Sequence, residues 1–169
     1  MSKNDITKDL EQRLYKYTNG TVLCSCFEVT IGFFGKERVD YLSLDYKNTW
    51  RCYEVKSCKA DFYSKAHHTF IGNLNYYVMP FAVYEQVKND VPKGVGVLTE
   101  LSEKNYTCTD LWVTKKPVRQ ELKVDERQLL LYMLRSLNRY SRQINAYSIE
   151  RMEYNPETCC YELVQRMSS

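Results

Sequence analysis

The chain has 169 residues, of which 44% are hydrophobic and 27% charged, enough for one buried core and too few for two ordinary domains. No apolar run approaches the roughly 18 residues of a membrane span, and Met1 to Gly20 is too polar for a secretory leader, so a cytoplasmic protein with no membrane partner is expected. The net charge of +3 is mild, which confines any nucleic-acid footprint to a local patch.

Seven cysteines occur as Cys24-x-Cys26, Cys52 and Cys58, a lone Cys108, and adjacent Cys159-Cys160. The odd count and the lack of paired C-x-x-C spacings speak against a disulfide framework or a zinc site, leaving ordinary thiols.

In chain order, Ile6, Leu10, Leu14 and Tyr17 recur at helical spacing, which predicts an amphipathic helix over 4–17 with Asn4 as its cap and Gly20 as its stop. Residues 21–31 are rich in strand formers and close on Gly32 and Gly35. Val39–Leu44 and Thr49–Ser57 read as a hairpin turning at Asp45-Tyr46-Lys47-Asn48. A short helix over 59–66, a strand over 75–79 ended by Pro80, and a helix over 81–88 ended before Pro92 follow. Gly94–Thr99 and Tyr106–Thr114 are strand-like. The clearest helix is expected over about 125–146, where Asp125 and Gln128 make a capping-box-like start and Leu130, Met133, Leu134, Leu137 and Ser141 share a face. Beyond it, Asn155-Pro156-Glu157-Thr158 predicts the turn of a C-terminal hairpin over about 148–165. The sum is an α/β chain forming a single domain, with a core over about 4–115 and these two later elements.

Alternation along Cys52-Tyr53-Glu54-Val55-Lys56 turns Glu54 and Lys56 to the same face. If the preceding strand pairs with this one, Asp40 comes close to Glu54, and two carboxylates can surround a hard cation with Lys56 at the rim. Magnesium or manganese suits such a site, since either takes oxygen ligands and leaves water positions open for substrate. Neighbouring carboxylates favour a charged Lys56, an orienter and electrostatic stabiliser rather than a base. Spacing alone is a weak signal: Asp110 followed by Glu121-Leu122-Lys123 matches the same pattern without an evident hairpin, and a half-exposed strand with solvated charges explains the first copy as well.

A longer run is more specific. Arg38-Val39-Asp40, Tyr53-Glu54-Val55-Lys56-Ser57, Lys59-Ala60-Asp61-Phe62, Tyr76-Tyr77-Val78-Met79-Pro80 and Gly94-Val95-Gly96-Val97 follow one another in an order that resembles the PD-(D/E)xK nuclease superfamily, especially its MmcB-like DNA-repair branch and similar small phage proteins. The likeness covers roughly the first 100 residues. It implies a restriction-endonuclease-like core, a central mixed sheet flanked by helices, to which the late helix is compatible and the C-terminal hairpin an addition. It further implies Asp40 and Glu54 as metal ligands, the Val55 carbonyl as a third, Lys56 as the catalytic lysine, and Mg2+ or Mn2+ as cofactor.

The resemblance also implies an additional acid on the first helix, for which Glu11 is the candidate and Glu28 on the first strand its rival, although Glu11, at the flank of its apolar stripe, also suits solvent. Lys65 and Lys59 are candidate phosphate contacts, as are Arg135, Arg139 and Arg142, a stripe on the late helix opposite its leucines that a solvated face explains equally. His67 and His68 are adjacent and cannot share one helical face; Asp61 reads as a local hydrogen-bonding or capping residue and Phe62 as core. The expected function is metal-dependent hydrolysis of DNA phosphodiester bonds, a magnesium-dependent deoxyribonuclease of DNA repair or phage DNA processing, in the host cytoplasm if phage-encoded. The competing expectation is a non-catalytic nucleic-acid- or protein-binding module on the same scaffold, such as a phage factor acting on host machinery. A homodimer with paired sites is a third.

Overall fold

The computed structural model describes residues 2–32, 37–64, 69–100, 111–149, 152–155 and 160–163. Helix α1 (Lys3–Thr18) leads into strands β1 (Val22–Ile31), β2 (Glu37–Asp45) and β3 (Trp50–Val55). Helix α2 (Lys59–Phe62), strand β4 (Leu74–Val78), helix α3 (Phe81–Val87), strands β5 (Gly96–Glu100) and β6 (Leu111–Lys115), the long helix α4 (Glu126–Ile149), and strands β7 (Met152–Asn155) and β8 (Cys160–Leu163) follow.

The first six strands form one mixed sheet in sequence order. Antiparallel pairing joins β1–β2, β2–β3 and β5–β6, whereas β3–β4 and β4–β5 are parallel. The parallel pairs are those whose connections carry α2 and α3, as crossover geometry requires. β7 and β8 pair as a separate antiparallel hairpin. The chain is thus an α/β protein with a six-stranded mixed sheet flanked by helices and a long late helix. Among the described residues no helix is long and apolar enough to cross a membrane.

Alternation sorts the core into two faces. Leu10 and Leu14 of α1 pack on Tyr41, Tyr53, Val55, Tyr76 and Val78, and the Thr18 hydroxyl meets that of Tyr41 at 2.7 Å, tying the end of the helix to β2. On the other face, Leu129, Tyr132 and Met133 of α4 cover Leu42, Leu44, Trp50 and Cys52. Phe62 of α2 and Val83 and Val87 of α3 cover Tyr77, Met79 and Val97 there too. At Gly96 an added Cβ would lie 2.8 Å from Tyr76 Cδ1 and 2.9 Å from the Lys115 carbonyl, so the bare backbone is what lets β6 approach β5.

The structure corrects three expectations. The cap of α1 is Ser2, not Asn4: its hydroxyl accepts the Asp5 N–H while the Asp5 carboxylate accepts the Ser2 N–H, a reciprocal capping box. The short helix after β3 ends at Phe62 rather than running to 66. On α4 the buried face is Leu129, Tyr132, Met133 and Ser136, whereas Leu130, Leu134 and Leu137 are exposed. At about 100° per residue the leucine stripe lies beside the packed face, not on it. The cap at Asp125 is as expected, its carboxylate accepting the N–H groups of Arg127 and Gln128. Lys65, His67, His68 and Asp110, the start of the strand expected over 106–114, and the turn over 155–158 beyond Asn155 lie outside the described residues.

Candidate metal and phosphate site

The β2–β3 register pairs Tyr41 with Tyr53, so the next residues outward, Asp40 and Glu54, face each other as the hairpin opens. Asp40 Oδ2 accepts the Val55 N–H at 2.9 Å. A side chain here takes the place of a ladder carbonyl, which holds the Asp40 carboxylate at the mouth between the two strands. Val55 therefore contributes an N–H to the site's framework, in addition to any use of its carbonyl. On its other side β3 is fixed by β4, where the Lys56 N–H reaches the Val78 carbonyl at 2.9 Å.

Glu54 and Lys56 are 4% and 5% exposed, unusual depths for charged side chains. Burial, then the neighbouring Asp40 carboxylate, pushes the Glu54 carboxyl up to about 8, with Lys56 pulling the other way. Glu54 also takes the Thr69 backbone N–H and shares a hydrogen bond with Asp40. Its Oε1 is buried without a hydrogen-bond partner among the described residues. Such an oxygen is costly unless something positive or donating meets it.

Glu11 of α1 is half-buried; burial first, then the Asp40 and Glu28 carboxylates, raises its carboxyl. Glu28 lies on the edge strand with φ +50, a left-handed backbone that costs a non-glycine residue about 1 kcal/mol. Its carbonyl accepts from Arg139 at 2.9 Å, its carboxylate accepts from the Tyr140 hydroxyl at 3.3 Å, and Arg38 pairs with it at 3.3 Å. Arg139 is therefore engaged with β1, and the arginine stripe flanks the packed face of α4. Arg135 and Arg142 are exposed, as is Lys59. Asp61 accepts the Ser57 N–H and hydroxyl at 3.1 and 3.2 Å, the local bonding role expected of it, and Phe62 is core.

Among the described residues no three of His, Cys, Asp and Glu form a ready ligand set for a metal ion. The residues present nevertheless fit a hard divalent cation of the magnesium kind, which is commonly held by one or two carboxylates and keeps several waters. Asp40 and Glu54 supply the two carboxylates, and the orphaned Glu54 oxygen is the observation that such an ion would satisfy. The thiols do not compete for this role. Burial pushes Cys52 up to about 12 and Cys26 up to about 11, so both stay protonated, and Cys24, Cys26, Cys52 and Cys58 are free thiols.

The sequence reading missed the Thr69 N–H, which has no sequence signal, and the pairing of Arg38 and Tyr140 with Glu28. Arg38 carried a signal in the Arg38-Val39-Asp40 run, without a role attached to it.

No family model matches the chain, and no curated protein does. Among solved structures, a protein of unknown function from Silicibacter pomeroyi superposes with a TM-score of 0.59 over 84% of this chain and 90% of that one, at 15% identity. At that identity the likeness speaks to the fold alone.

Proposed function

We propose that the chain is a magnesium- or manganese-dependent nuclease that hydrolyses DNA phosphodiester bonds, as in repair or phage DNA processing. The observation that carries this reading is the buried Glu54, with one unpartnered oxygen, beside Asp40 and the buried Lys56 at the mouth of a hairpin. The PD-(D/E)xK resemblance of the segments around these residues supports it.

Asp40 and Glu54 would hold the cation, and the Val55 N–H keeps the Asp40 carboxylate turned to the site. When bound, the cation supplies Lewis-acid polarisation of a phosphoryl oxygen and makes a neighbouring water more acidic. Lys56, desolvated beside Glu54, stabilises negative charge that develops on the phosphoryl oxygens as water attacks phosphorus and the ester P–O bond breaks. Burial strengthens that contribution, because the ammonium acts at lower dielectric than in water. The leaving oxygen takes up a proton and the water oxygen remains on the phosphate.

The test is cleavage of single-stranded, duplex, flapped and branched DNA with magnesium or manganese. Lys56→Ala is expected to lower the rate about 100- to 1,000-fold, the scale for removing one preorganised electrostatic group. Purified, folded protein that cuts none of these substrates with either metal would rule the reading out.

A further inference from the structure

Two adjoining depressions lie along the free edge of the sheet, and they deepen the proposed function by indicating the form of its substrate. β1 is an edge strand. α1 packs on one face of the sheet and α4 on the other, so the edge opens between two helices. One depression, about 340 Å3, runs along α1 past Lys8, Gln12 and Lys16. The other, about 430 Å3, reaches across β1 to Leu137 and Tyr140 of α4. Glu11, Tyr15 and Phe27 line both, which makes them one continuous groove. The second depression reaches the candidate site's border through Glu28 and Tyr41: Tyr41 adjoins Asp40 on β2, and the pairing of Phe27 with Tyr41 and of Val29 with Val39 sets Glu28 across from Asp40.

Its lining has a definite chemistry. Tyr15 is 54% exposed, and Phe27, braced from behind by the Tyr41 ring at 4.3 Å, is only partly covered. Tyr140 adds a third ring, with the Arg139 guanidinium 5.4 Å from its centre. Lys8 and Lys16 stand two helical turns apart, about 12 Å, on the α1 rim. At the other end Arg38 pairs with Glu28 and so offsets the acid most exposed to an approaching anion. Aromatic rings accessible in a groove with cations along its rim are what single-stranded nucleic acid requires: bases stack on the rings while phosphates follow the charges. A duplex keeps its bases stacked inside and has no use for the rings.

The geometry points to this groove as the path of single-stranded DNA into the Asp40–Glu54 site, with bases stacked on Tyr15 and Phe27 and phosphates along Lys8 and Lys16. The inference rests on the nuclease reading for its destination, while binding itself needs no metal.

The test is fluorescence anisotropy on the full chain in EDTA, with a labelled oligothymidine of about 15 nucleotides, enough to span one groove, and a hairpin duplex of equal length. Single-stranded DNA is expected to bind at least about tenfold more tightly than duplex. Tyr15→Ser and Phe27→Leu should each weaken single-strand binding about tenfold, with duplex binding changed less than about twofold. Phe27→Leu keeps an apolar side chain against Tyr41, and should it nevertheless unfold, the exposed Tyr15 carries the test. Equal or better duplex binding, no single-strand binding, or affinity indifferent to the folded variants would overturn the inference. Metal-dependent cutting of duplex without single-strand preference would leave the nuclease reading standing and remove the groove. Single-strand binding that Tyr15→Ser weakens, without cleavage in magnesium or manganese, would do the reverse.

Discussion

Replacing Glu54 by glutamine isolates the charge that the fold buries. In the folded protein the carboxyl is raised from an ordinary 4.5 to about 8, first by burial and then by Asp40. A carboxyl whose folded value lies above its unfolded value holds its proton more tightly when folded. Its contribution to stability is therefore fully present below about pH 4.5 and is lost as pH rises to about 8. At about 1.36 kcal/mol per pH unit the loss has a ceiling on the order of 5 kcal/mol. The glutamine amide would keep an oxygen for the Thr69 N–H and a donor for Asp40, but could not ionise. Urea unfolding in EDTA should therefore find wild type and Glu54→Gln within about 1 kcal/mol of each other at about pH 4.5, the range of a preserved hydrogen bond. At about pH 8.5 the variant should be the more stable by several kcal/mol, within that same ceiling. Burial raises the Glu11 carboxyl in the same direction, and comparing the two proteins largely cancels it. Magnesium at the higher pH should return stability to wild type and leave Glu54→Gln nearly unmoved, since only the former presents a paired carboxylate to the ion. Parallel pH profiles for the two proteins would refute the claim that Glu54 is a buried, destabilising charge awaiting a cation.

Asp40→Asn retains an acceptor for the Val55 N–H, so the fold should survive, while the magnesium-induced rise in Tm shrinks to that expected of a site at least about tenfold weaker; scanning calorimetry across a magnesium titration checks it. Glu28 has φ +50, so Glu28→Gly should be about 1 kcal/mol more stable than Glu28→Ala in chemical unfolding, because both lose the Arg38 pair but only glycine relieves the backbone. Gly96→Ala pushes a Cβ against Tyr76 and the Lys115 backbone and should cost about 1–3 kcal/mol, read as a lower urea midpoint with unchanged slope.

Most of the fold was legible from local pattern. The strand runs at 39–44 and 49–57, turning at Asp45 to Asn48, are β2 and β3; Asp45 Oδ1 accepts the N–H groups of Lys47 and Thr49, local chemistry that an Asp in a turn announces. The cap of α4 at Asp125 is likewise written in four consecutive residues. The face of α4 was not legible, because leucines at helical spacing describe an apolar stripe without saying which part of it the sheet covers. Tertiary packing chose Leu129, Tyr132 and Met133 and left Leu130, Leu134 and Leu137 in solvent.

The candidate site divides along the same line. Two-residue alternation alone put Glu54 and Lys56 on one face, and hairpin pairing alone brought Asp40 opposite Glu54. Depth and neighbourhood needed the assembled molecule: the 4% exposure of Glu54, the unpartnered oxygen, the Thr69 N–H, and the Glu11 carboxyl that burial, Asp40 and Glu28 raise. Periodicity is a property of neighbouring residues and survives in the sequence. The cost of ionising a carboxylate depends on which distant groups displace its water, and only the closed fold decides that.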